Sequence, residues 1–270
     1  MEHLRQRIID SVKERIVGKG ASMLPFWLYF LAITSAELLT VYLEPLVGVV
    51  CHGMILVALL TQSAFAADSG RRNLILGLSL VPLIRILSLA MPLVRLPQVY
   101  WYPIIYAPLL VATVVVMRIV KLKPSDVGLV RHDLPIQILL GIASGLAFGI
   151  LEYMILKPKP MITDFTLQQI WFPAVVLLMT TGFVEELMFR GVLQRLAEPA
   201  MGFWQGIIYI SLIFAILHVG FFSAVDIIFV LVVALFFAYA VKTTGSLIGV
   251  TLSHGIANIL LYLVMPFMLS

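Results

Sequence analysis

The sequence predicts an all-α protein, a polytopic transmembrane helical bundle of eight to nine membrane spans with an amphipathic interfacial helix at its N-terminus. Hydrophobic residues make up 61% of the 270 positions and charged residues only 12%, which is more apolar than a soluble domain of this size needs. Apolar stretches of about 20 residues, the length that crosses a bilayer, recur along the chain. They lie at 24–42, 45–67, 73–93, 103–120, 134–156, 168–188, 203–219, 222–241 and 246–268.

The third stretch is the least regular of the nine. Pro82, Arg85 and Pro92 interrupt it, so eight spans remain an alternative to nine. An unpaired charge in lipid is costly. We therefore expect Arg85 to pair with Glu37 in the first stretch or with Glu44, which lies between the first two stretches.

The segment before the first span, residues 1–23, is basic and amphipathic. Apolar residues such as Ile9, Val12 and Ile16 recur at helical spacing, with arginine and lysine between them. This pattern predicts a helix that lies on an anionic leaflet, with membrane lipids as its partners. A solvated helix is the alternative.

Lysine and arginine residues predict the topology. With a cytoplasmic N-terminus, 14 of the 18 fall on the inner side, three fall on the outer side, and Arg85 lies within a span. This asymmetry favours an N-terminus inside and a C-terminus outside. Because the basic residues lie in short separate loops, the net charge of +4 indicates orientation and headgroup contact and predicts no nucleic-acid partner.

The longest polar loop in the middle of the chain, from Lys121 to Asp133, divides the spans into two groups. Residues 24–120 form a four-span region of unknown role. Residues 121–270 hold every residue that we single out for chemistry, and they form the predicted catalytic core.

Two adjacent glutamates, Glu185 and Glu186, lie in the sixth stretch. Each ionisable group in lipid costs roughly 2.5–3.5 kcal/mol on insertion scales, so such a group marks function by default. We expect this helix to continue to a turn at 199–202. Glu185 lies 16 residues before Met201 and His218 lies 17 residues after it, so in a helical hairpin both sit about 25 Å from the turn and face each other.

Three spaced motifs result, each in its own membrane helix. They are Glu-Glu-x-x-x-Arg, then Phe-x-x-x-His, then His-x-x-x-Asn, and together they resemble the CPBP family. That family comprises the CAAX prenyl endopeptidases and the bacteriocin-processing or Abi proteins. The resemblance covers about residues 118–268. The motif residues are Glu185, Glu186 and Arg190, then Phe214 and His218, then His254 and Asn258.

The resemblance implies an intramembrane endopeptidase that hydrolyses a peptide bond. Glu185 would be the general base that activates a water, and His218 would hold the same water. His254 and Asn258, which share a helix face, would stabilise the oxyanion. Glu186, Arg190 and Phe214 would support these four catalytic residues.

A metal-dependent variant uses the same residues. Glutamate and histidine are competent zinc ligands, and a catalytic zinc site takes three protein ligands and a water. The sequence lacks the His-Glu-x-x-His pattern, however, and glutamate-activated water accounts for the residues equally well. Zinc is therefore a possible cofactor, and the metal requirement stays open.

The resemblance also implies the substrate class and leaves one alternative function. A peptide or a lipidated protein would be the substrate, and we expect it to reach a cavity open toward the cytoplasmic side. The alternative is a non-catalytic membrane subunit or scaffold that keeps the CPBP fold within a larger membrane complex. The four additional N-terminal spans would offer such a complex a docking surface.

Overall fold

The computed structural model describes residues 23–93 and 95–269, so the predicted helix of residues 1–23 lies outside the described residues except for Met23. The described residues contain helices and no strand, which confirms the all-α fold. Nine of their helices are long and apolar enough to cross a membrane. They are α1 (Leu24–Tyr42), α2 (Pro45–Phe65), α3 (Ser69–Ala90), α4 (Gln98–Ile119), α5 (Leu134–Leu156), α6 (Leu167–Met201), α7 (Phe203–Phe221), α8 (Ala224–Thr244) and α9 (Ile248–Met268).

Helix α3 starts earlier than the predicted 73–93 and is interrupted at Ser79. The Asp68 side chain accepts a hydrogen bond from the backbone N–H of Arg71 at 2.7 Å, which caps the first turn. Pro82 has no N–H to donate to the carbonyl of Leu78, and the helix is interrupted between them at Ser79. The cap at Asp68 explains why hydropathy alone placed the start of this span too late.

A buried ionic cluster joins the first three helices. The Arg85 guanidinium donates to both carboxylate oxygens of Glu37, from Nε at 2.5 Å and from Nη2 at 2.7 Å. His52 Nε2 lies 3.0 Å from Glu37 Oε1, and neither Glu37 nor His52 has any exposed surface. Of the two partners expected for Arg85, the structure therefore has Glu37, and the pairing satisfies a charge within the bundle.

Helices α5 and α9 approach closely because α5 carries glycines on the facing side. A Cβ atom placed on Gly145 would lie 2.8 Å from the carbonyl oxygen of Ser253, and one on Gly149 would lie 2.8 Å from that of Ala257. Small residues allow such backbone contact between membrane helices. The contact places the residue after Ser253, which is His254, at a fixed depth and rotation.

Helix α6 is continuous over 35 residues and ends at Met201, before Gly202 at a positive φ of 93°. This confirms that the helix continues past Arg190, but residues 199–201, which were predicted to be part of the turn, are helical and only Gly202 separates α6 from α7. At about 1.5 Å per residue the helix is roughly 52 Å long, so it exceeds the ~30 Å hydrocarbon core and must tilt or project. Its central part has π-helical hydrogen bonding over Leu178–Glu185 and Leu187–Leu193. Such stretches are frequent at functional sites.

The loop between α4 and α5 fixes the start of α9. The backbone N–H of Leu247 donates to the carbonyl of Gly128 at 2.9 Å. Just after this loop, in the first turn of α5, the Gln137 side chain accepts a hydrogen bond from the N–H of Gly249 at 2.9 Å. This satisfies one of the free backbone donors at the N-terminus of α9. The polar loop is therefore packed against the core.

Gly145→Ala is expected to destabilise the protein by about 1–3 kcal/mol, because the new methyl group meets backbone that cannot move independently. Its control is Gly53→Ala in α2, where an added Cβ has nothing within 4 Å. Unfolding by SDS titration in mixed micelles measures both variants. Equal stability of the two variants would contradict the close α5–α9 contact.

Candidate active site

The structure brings the predicted residues of α6 and α9 together around one imidazole ring. His254 Nδ1 lies 2.7 Å from Glu186 Oε1, and His254 Nε2 lies 4.0 Å from Glu185 Oε2. Glu186 has no exposed surface, whereas Glu185 and His254 are each slightly exposed. The two neighbouring carboxylates therefore occupy different environments, and only that of Glu185 borders open space.

The deeper carboxylate is neutralised along its own helix. Arg190 Nη1 donates to Glu186 Oε1 at 3.0 Å, so the two residues form a buried ion pair. The guanidinium lies 4.3 Å from the ring centre of Phe214 and 5.5 Å from that of Phe237. Aromatic faces stabilise a desolvated cation. Phe214 thus contacts Arg190 with its ring face. The same ring also lies next to the rings of His218 and His254.

His218 lies just beyond the last α-helical turn of α7, and its tautomer follows from its partner. Nδ1 is 2.9 Å from the carbonyl oxygen of Phe214. A carbonyl only accepts hydrogen bonds, so Nδ1 carries the proton and Nε2 of the neutral ring is an acceptor. His218 can therefore accept a hydrogen bond from a water in the adjoining space.

The two residues predicted to stabilise the oxyanion both have a structural partner. With Nδ1–H directed at Glu186, His254 Nε2 donates only when the ring is an imidazolium. Asn258 Nδ2 donates to Thr181 Oγ1 at 2.9 Å, and that hydroxyl in turn donates to the carbonyl of Leu177. One N–H of Asn258 remains for another acceptor.

Two adjoining cavities meet at the candidate base. The outer cavity has a volume of about 240 Å³ and the inner cavity about 170 Å³. Tyr106, Glu185 and His218 line both of them, so these side chains form the junction. Arg85, Ser88 and Gln98 line the outer cavity alone, and Glu152, His254 and Asn258 line the inner one alone.

Helix α4 contributes to the site, which was not predicted from the sequence. The hydroxyl of Tyr106 donates a hydrogen bond to Glu185 Oε1, and the ring of Tyr102 stacks on Tyr106 with centroids 6.3 Å apart. A tyrosine in the middle of an apolar span needs a partner for its hydroxyl. The position of Tyr106 in the span could therefore have indicated a buried polar contact. The division at residue 120 therefore does not separate the site from the first four spans.

The side chains do not fit a three-ligand zinc site. Within residues 23–93 and 95–269 no group of three histidine, cysteine, aspartate or glutamate side chains is arranged to hold a metal ion. The Nδ1 atoms of His218 and His254 are both directed at other acceptors, so only Nε2 of each ring could bind a metal.

The cavities lie toward one end of the bundle. Ser88 is near the last residue of α3, Gln98 is the first residue of α4, and Phe221 is the last residue of α7. The basic loops, such as that at 121–133, lie at the opposite ends of these helices. The expected cytoplasmic opening and the topology predicted from lysine and arginine therefore cannot both hold.

The fold and site define a multi-pass membrane protein with a buried glutamate–histidine centre. Residues 167–260, from α6 into α9, match the family described as Type II CAAX prenyl endopeptidase Rce1-like. The match spans all three motifs and confirms the resemblance: residues 167–260 are similar to the CAAX prenyl endopeptidases, which indicates a protease. Comparison with curated proteins and with solved structures gives no significant match.

Arg190→Leu is expected to cost about 3–5 kcal/mol of stability, because it leaves the Glu186 carboxylate buried without its cation. The matched control is Lys242→Leu, which breaks the more exposed pair with Glu198 and is expected to cost at most about 1 kcal/mol. SDS titration of both variants measures the difference. A loss for Arg190→Leu no larger than for Lys242→Leu would show that the buried pair is not a stabilising element.

Proposed function

We propose that the protein is an intramembrane endopeptidase that hydrolyses a peptide bond with a water activated by Glu185. The observation that carries this proposal is the junction of the two cavities. There a carboxylate and an imidazole nitrogen able to accept a hydrogen bond border the same space within an apolar bundle. Glutamate is a general base in many hydrolytic reactions when it lies within reach of the water.

The reaction would begin with a water between Glu185 and His218. His218 Nε2 accepts one hydrogen bond from the water and Glu185 takes its other proton as the oxygen attacks the carbonyl carbon. The new C–O bond gives a tetrahedral intermediate with an oxyanion. Glu185 then returns the proton to the amide nitrogen, the C–N bond breaks, and an amine and a carboxylic acid result.

The oxyanion would be stabilised from α9. Asn258 offers its remaining N–H, and His254 offers Nε2–H when its ring is charged. The hydrogen bond from Asn258 to Thr181 and the contact of His254 with Glu186 hold these donors in place before a substrate binds. Donors that are already oriented stabilise developing charge more effectively than donors that must first reorganise.

The residues around Arg190 would support this chemistry without touching the substrate. Arg190 balances the charge of Glu186, and Glu186 orients His254. Phe214 packs between Arg190 and both histidine rings, at 5.0 Å from the His218 ring centre and 6.0 Å from that of His254. These contacts account for the expected supporting role of the three residues.

The substrate would be a peptide or a prenylated protein segment within the membrane, as expected of a CAAX protease. Aromatic side chains border both cavities, including Phe214 and Phe221, which suits apolar segments.

Glu185→Gln is expected to abolish cleavage, with a loss of at least about 10²–10⁴-fold in kcat, because the amide cannot accept the proton from water. The measurement is cleavage of membrane-embedded peptides by purified protein in proteoliposomes. Glu44→Gln, which changes an exposed glutamate at the start of α2, is the control and should retain full activity.

If Glu185→Gln retained activity, the mechanism would be wrong. If the wild-type protein cleaved neither prenylated nor unmodified peptides but co-purified with a membrane complex that Glu185→Gln left intact, the scaffold alternative would replace the protease.

We also propose that the N-terminus is cytoplasmic, as the distribution of lysine and arginine favours. With this orientation the ends of α3, α4 and α7 that border the outer cavity face the non-cytoplasmic side. Substrates would then enter from that half of the bilayer, and this replaces the cytoplasmic opening expected from the sequence.

Cysteine labelling in cells tests this orientation. In a Cys51→Ser background, Lys159→Cys should react with a membrane-impermeant maleimide added outside, because the α5–α6 loop is non-cytoplasmic. Lys123→Cys in the α4–α5 loop should react only after permeabilisation. Both lysines are exposed, so the two sites are matched in accessibility. The reverse labelling pattern would place the cavities toward the cytoplasm.

A further inference from the structure

A residue outside the family match contacts the candidate base. Tyr106 lies in α4, well before the matched residues 167–260. It is eight residues from the first residue of α4, or about 12 Å along the helix, and it is only 7% exposed. Helix α4 packs against the π-helical stretch of α6, and this contact places the phenol hydroxyl against Glu185 Oε1.

The two oxygens of Glu185 therefore have different surroundings. Oε1 accepts the hydrogen bond from Tyr106, whereas Oε2 lies 4.0 Å from Nε2 of His254. A glutamate side chain has three rotatable bonds and otherwise samples several orientations. The phenol on one side and the imidazole on the other reduce the number of orientations open to the carboxylate at the junction of the cavities.

The tyrosine itself is held in place by its own helix. Tyr102 lies four residues earlier, on the same face of α4, and the two rings are nearly parallel, with an angle of 9° between their planes. Tyr106 lines both cavities, as does Glu185. The hydroxyl is thus held against Glu185, beside the space that a reacting water could occupy.

We propose that Tyr106 is a positioning residue for Glu185, and that it directs proton transfer to Oε2. This inference rests on the proposed peptidase function. Because the phenol donates to Oε1, the proton taken from water goes to the other oxygen. The same oxygen later gives that proton to the leaving amine. The first four spans thereby complete the active site.

Tyr106→Phe tests the proposal because it removes only the hydroxyl. With cleavage measured per folded molecule, kcat is expected to fall about 10- to 100-fold, the usual value of one hydrogen bond to a charged group. KM is expected to stay within about twofold, since the phenol acts through Glu185 and does not bind the substrate. A purely structural role would lower the folded fraction and leave kcat per folded molecule unchanged.

The matched control is Tyr209→Phe. The Tyr209 hydroxyl is buried and donates to the carbonyl of Phe26 at 2.8 Å, away from both cavities. This variant loses the same group and one buried hydrogen bond, so it should destabilise the protein without changing kcat or KM. Introduction of 4-aminophenylalanine at position 106 restores a donor of the same shape and should give a kcat between those of Tyr106→Phe and wild type.

The outcomes separate the two proposals. An active wild-type protein, an inactive Glu185→Gln variant and a Tyr106→Phe variant with wild-type kcat would overturn the role of Tyr106 alone. A rise in KM at unchanged kcat would also overturn it, because the phenol would then be a substrate contact. If Tyr106→Phe did not fold, the 4-aminophenylalanine protein would replace it in the test: a lowered kcat at unchanged KM would support the positioning role, and a raised KM at wild-type kcat would overturn it. No cleavage by the wild-type protein would instead refute the proposed peptidase.

Discussion

The geometry of the site depends on the buried pair of Glu186 and Arg190. A carboxylate without exposed surface in an apolar bundle requires a cation, and Arg190 supplies it one turn along the same helix. The pair then determines its neighbours, since Glu186 fixes the tautomer of His254 and Arg190 packs on Phe214. Glu185, one residue away, is not needed to balance the charge of Arg190, and its carboxylate borders the two cavities.

Close helix packing makes these contacts possible. Helix α9 contacts α5 through the glycines of α5, and it contacts α6 near Gly182, where a Cβ would lie 2.8 Å from the carbonyl oxygen of Thr251. The π-helical hydrogen bonding of α6 changes the rotation of its side chains relative to a regular α-helix. Backbone approach and altered rotation together bring Glu185 and Glu186 to opposite sides of His254.

Much of this arrangement could be predicted from the sequence. Hydropathy indicated the spans, and equal distances from the 199–202 turn predicted the common depth of Glu185 and His218. The partner of Tyr106 could not be predicted, because it lies 79 positions away on a helix whose rotation depends on tertiary packing. The end of the bundle at which the cavities open also could not be predicted from the sequence. It depends on which helix ends leave space between them. The assigned catalytic roles remain predictions.

The pairing of Arg85 with Glu37 has a consequence for the lipid that surrounds the protein. Anionic headgroups are abundant at membrane surfaces, and an unpaired arginine beside a cavity would attract them. Because both carboxylate oxygens of Glu37 already accept from Arg85, the cavity wall offers hydrogen-bond donors with little net charge. We therefore expect this wall of the cavity to attract anionic phospholipid headgroups less strongly than an unpaired arginine would.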